Sequence, residues 1–348
     1  MTRRLFIPGT GACVFQDLAG NPIGSILHLA LDRQRDFLCE HAADPDVLPP
    51  LRTSGLRDAA GNPVEIQAVG PLRVAYQPFF EQVRGLNREK VYEFFNYDFR
   101  LDLRFNGERL WQKLREGADD QPWDIVCHSQ GGLLVVWASL LAGPEQFPRR
   151  VRRVVCFSAP LQGTVNAADA LLRGASLATA LDVHAATVRT WPSIYMMLPR
   201  WRLRVPGATG VELFKASTWQ RAGCLAPGDD VRTGISANLL LRAQAWKAAL
   251  DNQSFEALRS IERLVIVQGD NLGTWARAPD FPRLPSRERQ DGVNVVRGDG
   301  LVPADLTLQL LPQALSQRLE SIVTPVQSHN FMCADPSKAE LCERIFAE

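Results

Sequence analysis

The sequence is short of histidine, with five in 348 residues. It also lacks an excess of charge of either sign. Lys and Arg total 39, Asp and Glu total 38, and the formal net charge is +1. That balance provides no global field for a polyanion, so no nucleic-acid partner is expected. No Cys-x-x-Cys occurs among the seven cysteines, and the histidines are scattered. Metal-site spacing is therefore missing, and neither a metal nor a cofactor is expected. An odd number of cysteines cannot all pair within one chain. Several lie in apolar runs such as Val154-Val155-Cys156-Phe157. Buried reduced thiols are the expectation, with a Cys333–Cys342 bridge as the alternative.

Long apolar runs are missing as well. None approaches the ~20 residues of a membrane span. Leu5-Phe6-Ile7 falls short of the ~7–15 residues of a signal-peptide core. The cytoplasm is the default expectation, and export by a leaderless route would leave the same sequence. There is no internal repeat and no low-complexity tract.

What is present is enough apolar material for a large core, 46% of the residues. Short apolar runs at Leu5–Pro8, Val91–Tyr97, Asp124–His128, Arg153–Ser158, Leu264–Gly269, Val293–Arg297 and Ser321–Val326 read as strands. They are mostly continuous rather than alternating, as in strands buried on both faces of a parallel sheet. Helical patterns at 103–116, 130–142, 310–317 and 336–346 fall between or after them. Strand and helix in alternation predict an α/β fold with a mostly parallel sheet and helices on both faces. Residues 161–260 lack a strong strand and read as a helical insertion between a first core segment, 1–160, and a second, 261–348. An irregular stretch rich in Pro, Gly and Asp, 41–72, reads as part of a lid.

The sharpest local signal is Trp123-Asp-Ile-Val-Cys-His-Ser129-Gln-Gly131-Gly132, followed by an apolar helical run. A buried strand, a serine in a tight turn and a helix make the context of a nucleophile elbow. Cys127 stands where a glycine is usual, so its bulk bears on the elbow's geometry. A serine needs a base. His128 abuts Ser129 in the chain, so its side chain points away. His28, His41 and His184 have no partner pattern. His329 sits in a loop just after the last candidate strand, where such a sheet presents its base. The acid should follow a strand between serine and histidine. Asp299, in Gly298-Asp299-Gly300, fits best, and Asp270 in Val267-Gln-Gly-Asp270 is the runner-up. Asp291 and Asp305 are weaker candidates. Backbone N–H donors for an oxyanion are expected at Gln130, which opens the helix, and at Thr10 in the loop Ile7-Pro-Gly9-Thr10-Gly11. A phosphate-binding reading of that loop lacks the following Lys-Ser/Thr.

Taken in order, these blocks resemble the lecithin:cholesterol acyltransferase-like branch of the α/β-hydrolases. Phe6-Ile-Pro-Gly9 is similar to its opening strand and oxyanion loop. Phe95-Asn-Tyr97-Asp98-Phe99-Arg100 is similar to its Tyr-Asp-Trp-Arg block, with Phe for Trp. The elbow, Ser158-Ala-Pro160-Leu-Gln-Gly163-Thr164, Trp191-Pro-Ser-Ile-Tyr195-Met-Met-Leu-Pro199, Gly298-Asp299-Gly-Leu-Val302 and His329 complete the series. The resemblance implies an α/β-hydrolase fold with an inserted helical cap and acyl transfer through Ser129, His329 and Asp299. It also implies a lipid-like ester substrate, water or an alcohol as acyl acceptor, and transient contact with a membrane surface. An evident disulfide-closed lid near the N-terminus is missing. Trp191, Tyr195, Met196 and Leu198 are the expected pocket residues, with packing of the cap as the competing role. Asp98 and Arg100 are expected to form a structural ion pair. A soluble biosynthetic acyltransferase, thioesterase or cyclase, or a non-catalytic binding protein, would share most of these features.

Overall fold

The structure is a computed structural model. It describes residues 3–25, 53–57, 63–86, 91–116, 121–178, 181–203, 210–251, 255–277, 281–282, 295–309, 311, 313–317, 319–326 and 328–348.

The chain opens with β1 (Arg3–Ile7). It then forms β2 (Cys13–Asp17), β3 (Pro22–Ser25), β4 (Thr53–Arg57) and β5 (Pro63–Pro71), an antiparallel sheet in the order β3-β2-β5-β4. After the helix Arg73–Leu86 come β6 (Glu93–Phe94), the helix Leu103–Leu114, β7 (Trp123–His128), the helix Gln130–Arg150 and β8 (Val151–Phe157). The next segment holds the helix Val165–Arg173, a hairpin of β9 (Ala175–Ala178) and β10 (Leu181–Val183), the short helix Pro192–Met196 and the helix Ala237–Asp251. The chain returns as β11 (Arg263–Gly269), followed by the antiparallel pair β12 (Leu272–Trp275) and β13 (Val295–Gly298), and by β14 (Glu320–Thr324). A 3-10 turn, His329–Ala334, and the helix Ser337–Ala347 close the described elements.

The main sheet is six-stranded, in the order β14-β11-β8-β7-β1-β6. Every neighbouring pair is parallel. Alternate residues point to opposite faces, and both faces are covered. Leu5, Ile7, Ile125, Cys127, Val154, Cys156 and Ile266 pack on the side of the helices Leu103–Leu114 and Gln130–Arg150. Phe6, Val126, Val155, Phe157, Val265 and Val267 pack on the side of the helices Arg73–Leu86 and Ser337–Ala347. This two-sided burial is why Ile125–Cys127 in β7 and Val154–Phe157 in β8 read as continuous apolar runs. The segment between β8 and β11 leaves and rejoins the sheet at neighbouring strands. Its helix Ala237–Asp251 packs down through Trp246, whose ring lies 5.0 Å from that of Trp137.

Several expectations need correction. The stretch 41–72 is not simply irregular, since β4 and β5 lie in it, while 41–52 falls outside the described residues. The strand expected at Val293–Arg297 starts, among described residues, at Val295, and it pairs with β12 outside the parallel sheet. The strand expected over Val91–Tyr97 is only Glu93–Phe94. Within the helix expected at 310–317, residues 310 and 312 lie outside the described residues and a short helix, Gln313–Ser316, is present, with a separate helix, Ala304–Gln309, before it. The helix expected at 130–142 runs to Arg150 across a break at Gly143, whose φ is 72°. The insertion 161–260 is not helical throughout: its first helix stops at Arg173, because Gly174 adopts φ 93° and turns the chain into the hairpin of β9 and β10. Cys333 and Cys342 are both buried free thiols, not a bridge. Cys39 lies outside the described residues.

The ion pair within Tyr97-Asp98-Phe99-Arg100 is present. Arg100 is fully buried, and its Nε donates to Asp98 Oδ1 at 2.9 Å. The Arg100 carbonyl accepts from Ser193 N at 3.3 Å, which ties this turn to the β8–β11 segment. Removing Asp98 takes a hydrogen-bonded carboxylate away from a buried guanidinium. Asp98→Ala is therefore expected to cost ~3–5 kcal/mol of stability, read by denaturant unfolding. A change near zero would mean that other groups around Arg100 already compensate its charge.

Candidate active site

β7 ends at His128, and the next helix begins at Gln130. Ser129 makes the whole turn, with φ 52° and ψ −123°. A residue with a side chain rarely takes positive φ, and it persists here because both flanking elements are fixed. Ser129 N donates to Phe157 O at 2.8 Å, and Gly132 N donates to Ser129 O at 3.0 Å. The glycines allow the helix to start against the sheet. A Cβ on Gly131 would lie 2.7 Å from Ile7 O, and one on Gly132 would collide with Ala159. Cys127 fits because its thiol turns toward its in-register neighbour on β8, Cys156, with the sulfurs 3.0 Å apart. Burial pushes the Cys127 thiol well up from its ordinary value, so it behaves as an apolar side chain.

His329 Nε2 lies 2.8 Å from Ser129 Oγ. His329 Nδ1 lies 2.7 Å from Asp299 Oδ2. A carboxylate only accepts, so Nδ1 carries the hydrogen and Nε2 presents a lone pair to the serine hydroxyl. Asp299 is fully buried. Its Oδ1 accepts from Leu301 N at 3.0 Å and from Val302 N at 2.7 Å, in a turn that Gly300 completes at φ 93°. The backbone repeats the link, because His329 N donates to Asp299 O at 3.0 Å. Burial pushes the Asp299 carboxyl up, but the His329 imidazole and the hydrogen bonds from His329, Ser158 and the Val302 backbone outweigh it. The net direction is down, so the group is a carboxylate at neutral pH.

The other candidates lie elsewhere. Asp270 is partly exposed and faces Arg297 at 3.7 Å. His184 caps the short helix that follows it, accepting from Ala186 N at 3.2 Å. Asp305 sits in the helix Ala304–Gln309. His28, His41 and Asp291 lie outside the described residues. Thr10 and Gln130 do meet. Thr10 Oγ1 donates to Gln130 Oε1 at 3.0 Å, and Gln130 Nε2 donates to Phe99 O at 2.9 Å. Among the described residues, neither backbone N–H has a protein acceptor.

A cavity of about 450 Å³ opens at Ser129 and His329, walled by Leu72, Val74, Ile194, Met197, Trp275 and Phe331. The expected pocket residues are on the wrong side of the short helix Pro192–Met196. The Trp191 ring packs 5.4 Å from that of Phe99. Tyr195 Oη donates to Arg189 O at 3.0 Å and accepts from Ser236 N at 3.2 Å. Met196 Sδ accepts from Leu103 N at 3.2 Å, and Leu198 is fully buried. Positions 194 and 197, three apart, share the face that meets the cavity, while 191 and 195 share the core face.

A scan of protein-family models finds no match, and neither does a search of curated proteins. Solved structures do match. A chain in the crystal structure of the Tle4–Tli4 complex is similar over 98% of this chain and 97% of that one, with TM-score 0.59 and 14% identity. At that identity the likeness is one of fold. The mature lipase BlEst2 of Bacillus licheniformis matches over 99% of this chain and 90% of that one, with TM-score 0.46 and 14% identity. The parallel sheet, its helices on both faces and the strand–serine–helix turn at the end of β7 decide the architecture. This is an α/β-hydrolase fold. Within it, Ser129 takes the elbow position, Asp299 follows the β12–β13 pair and His329 follows β14. Sequence reasoning sets His128 aside as a base, because its side chain points away from Ser129, and does not single out Tyr76. His128 Nε2 lies 3.0 Å from His329 O, and its Nδ1 lies 2.9 Å from Tyr76 Oη. No local motif announces this, because the contacts join three separate segments.

Proposed function

We propose that the protein is a serine-dependent acyl-transfer enzyme acting on carboxylic esters of lipid type, a lipase, phospholipase or acyltransferase. The observation that carries this reading is the hydrogen-bonded series Asp299–His329–Ser129 opening on an apolar cavity. Ser129 Oγ attacks the ester carbonyl, and its proton passes to His329 Nε2. Asp299 holds the imidazole and stabilises the imidazolium without taking the proton. The free N–H groups of Thr10 and Gln130 receive the oxyanion, each contributing ~3–4 kcal/mol of transition-state stabilisation. The intermediate collapses, and the leaving alcohol takes the proton from His329. Water or an alcohol then attacks the acyl-enzyme with His329 again as base.

The lipid-type substrate is supported by the cavity wall and by its rim. Val74 and Phe331 line the cavity and are 56% and 42% exposed, an apolar edge suited to a transient membrane-surface contact. The stretch 161–260 reads as a cap over the serine, because it contributes Ile194 and Met197 to the wall. The resemblance to the lecithin:cholesterol acyltransferase-like branch points to the same substrate class. The test is a fluorophosphonate, which reacts only with an activated serine, together with a panel of esters of increasing acyl length with and without an alcohol acceptor. A single adduct on Ser129 and a preference for longer chains are expected. No adduct on folded protein overturns the catalytic reading, and a preference for acetyl esters overturns the lipid assignment.

A further inference from the structure

The sequence has four tyrosines, and two of them clamp one peptide bond behind the nucleophile. Tyr97 Oη donates to Pro8 O at 2.8 Å. On the other side of that peptide, Gly9 N donates to Tyr76 Oη at 2.9 Å. Both tyrosines are buried, Tyr76 to 1% exposure and Tyr97 to 0%. The clamped peptide leads directly into Thr10.

From Tyr76 the bonds continue to the base, and every direction in the series is determined. The His329 carbonyl can only accept, so His128 Nε2, 3.0 Å away, carries the hydrogen. His128 Nδ1 is then the bare nitrogen, and the Tyr76 hydroxyl donates to it at 2.9 Å. The phenol oxygen keeps its lone pairs for the Gly9 N–H. The result is one unbroken line, Gly9 to Tyr76 to His128 to the backbone of His329, with no polar atom left over. It runs close to the reacting hydroxyl, since a Cβ on Gly9 would lie 2.9 Å from the Cβ of Ser129.

We propose that Tyr76 and His128 are positioning residues that tie the loop carrying the Thr10 N–H to the loop carrying His329, so that the oxyanion donor and the base keep register around Ser129. This rests on the acyl-transfer reading of Ser129 given above. The line requires a neutral His128. A hydrogen on Nδ1 would face the Tyr76 hydroxyl hydrogen and turn it away. Burial, and then the nearby His329, push the His128 imidazole down to about 3. The ring is therefore neutral wherever an esterase assay is run. The Tyr76 ring is held independently by an edge contact with Phe6 at 4.9 Å. Tyr76→Phe thus removes the hydroxyl and keeps the packing.

The experiment compares wild type with Tyr76→Phe, His128→Leu, His128→Gln and the double variant Tyr76→Phe/His128→Leu, on p-nitrophenyl esters and a fluorophosphonate. A misplacement on the order of 1 Å costs about 10²-fold, so Tyr76→Phe and His128→Leu are each expected to lower kcat by that order with KM unchanged. His128→Gln keeps an N–H for the His329 carbonyl and is expected to recover most of the His128→Leu loss. The double variant is expected to be no slower than the slower single one, because both break the same line. A purely structural role would give losses that multiply, or losses that track the unfolding midpoint without rescue by glutamine. Either result overturns the proposal, as do unchanged kcat values or a change confined to KM. Should His128→Leu fail to fold, Tyr76→Phe and His128→Gln carry the comparison. No adduct on wild-type Ser129 overturns the acyl-transfer reading and this inference with it. An adduct on wild type with unaltered variants overturns this inference alone.

Discussion

Ser129→Ala is expected to lower kcat by about 10⁶-fold, the order seen when a serine nucleophile is removed from a site of this kind. On the proposed reading this hydroxyl forms the acyl-enzyme, and His329 Nε2 points at it from 2.8 Å. Without it, the base has only water to activate. The proposed oxyanion donors, the N–H groups of Thr10 and Gln130, remain, and a residual ~10³–10⁴-fold over the uncatalysed reaction is expected. The fold is expected to be unaffected. The turn is held by backbone bonds, Ser129 N to Phe157 O at 2.8 Å and Gly132 N to Ser129 O at 3.0 Å, which alanine keeps. Steady-state hydrolysis of a soluble ester and a thermal unfolding curve, run together, check this. Near wild-type turnover at an unchanged midpoint would move the nucleophile elsewhere.

Asp299→Asn is expected to lower kcat by about 10⁴-fold, through the tautomer of His329 rather than through the fold. Two backbone N–H groups, of Leu301 and Val302, donate to Oδ1 at 3.0 and 2.7 Å. They pin the amide oxygen of the asparagine there and leave its NH₂ facing His329 Nδ1. Two donors would then oppose each other. The ring moves its hydrogen to Nε2 and can no longer accept the serine proton. Asp270→Asn is the control and is expected to leave kcat unchanged, because Asp270 faces Arg297 at 3.7 Å. A reversal of the two results would reassign the acid. The native carboxylate also carries a pH signature. Its folded pKa is depressed, so its contribution to stability is complete above the ordinary carboxylate range and is lost as pH falls through the folded value.

The convergence of Ser129, Asp299 and His329 was legible because each sits at the end of a strand or strand pair, and strand ends are local features. With five histidines, context left one candidate base. The parallel strands were legible for a related reason, since burial on both faces writes a continuous apolar run. The antiparallel sheet was not. In β5 the alternation of Ile66 and Ala68 with exposed Gln67 and Val69 is a proper period of two, but prolines at 63 and 71 bracket it and obscure the strand. The cavity wall was misread by one step of a five-residue helix, too short for its periodicity to reveal which side faces the serine. Tyr76 was invisible for a deeper reason. Its helix shows an ordinary apolar stripe, and nothing in the chain near residue 76 shows that a histidine 52 positions later will present a bare nitrogen to it.

The six-stranded sheet has one further consequence, and it concerns time. Ser129 and His329 are 200 residues apart in the chain, and Gln130 meets Thr10 across 120. The entropy of closing such loops grows only logarithmically with length, so the distance adds little to the equilibrium cost. Its effect is on folding kinetics, because long-range parallel pairing is slow and has no local nucleus. No fragment spanning a single strand–helix unit contains both a nucleophile and a base. A refolding chain therefore acquires helices and hairpins before it acquires chemistry, and recovered ester turnover reports completion of the sheet rather than its beginning.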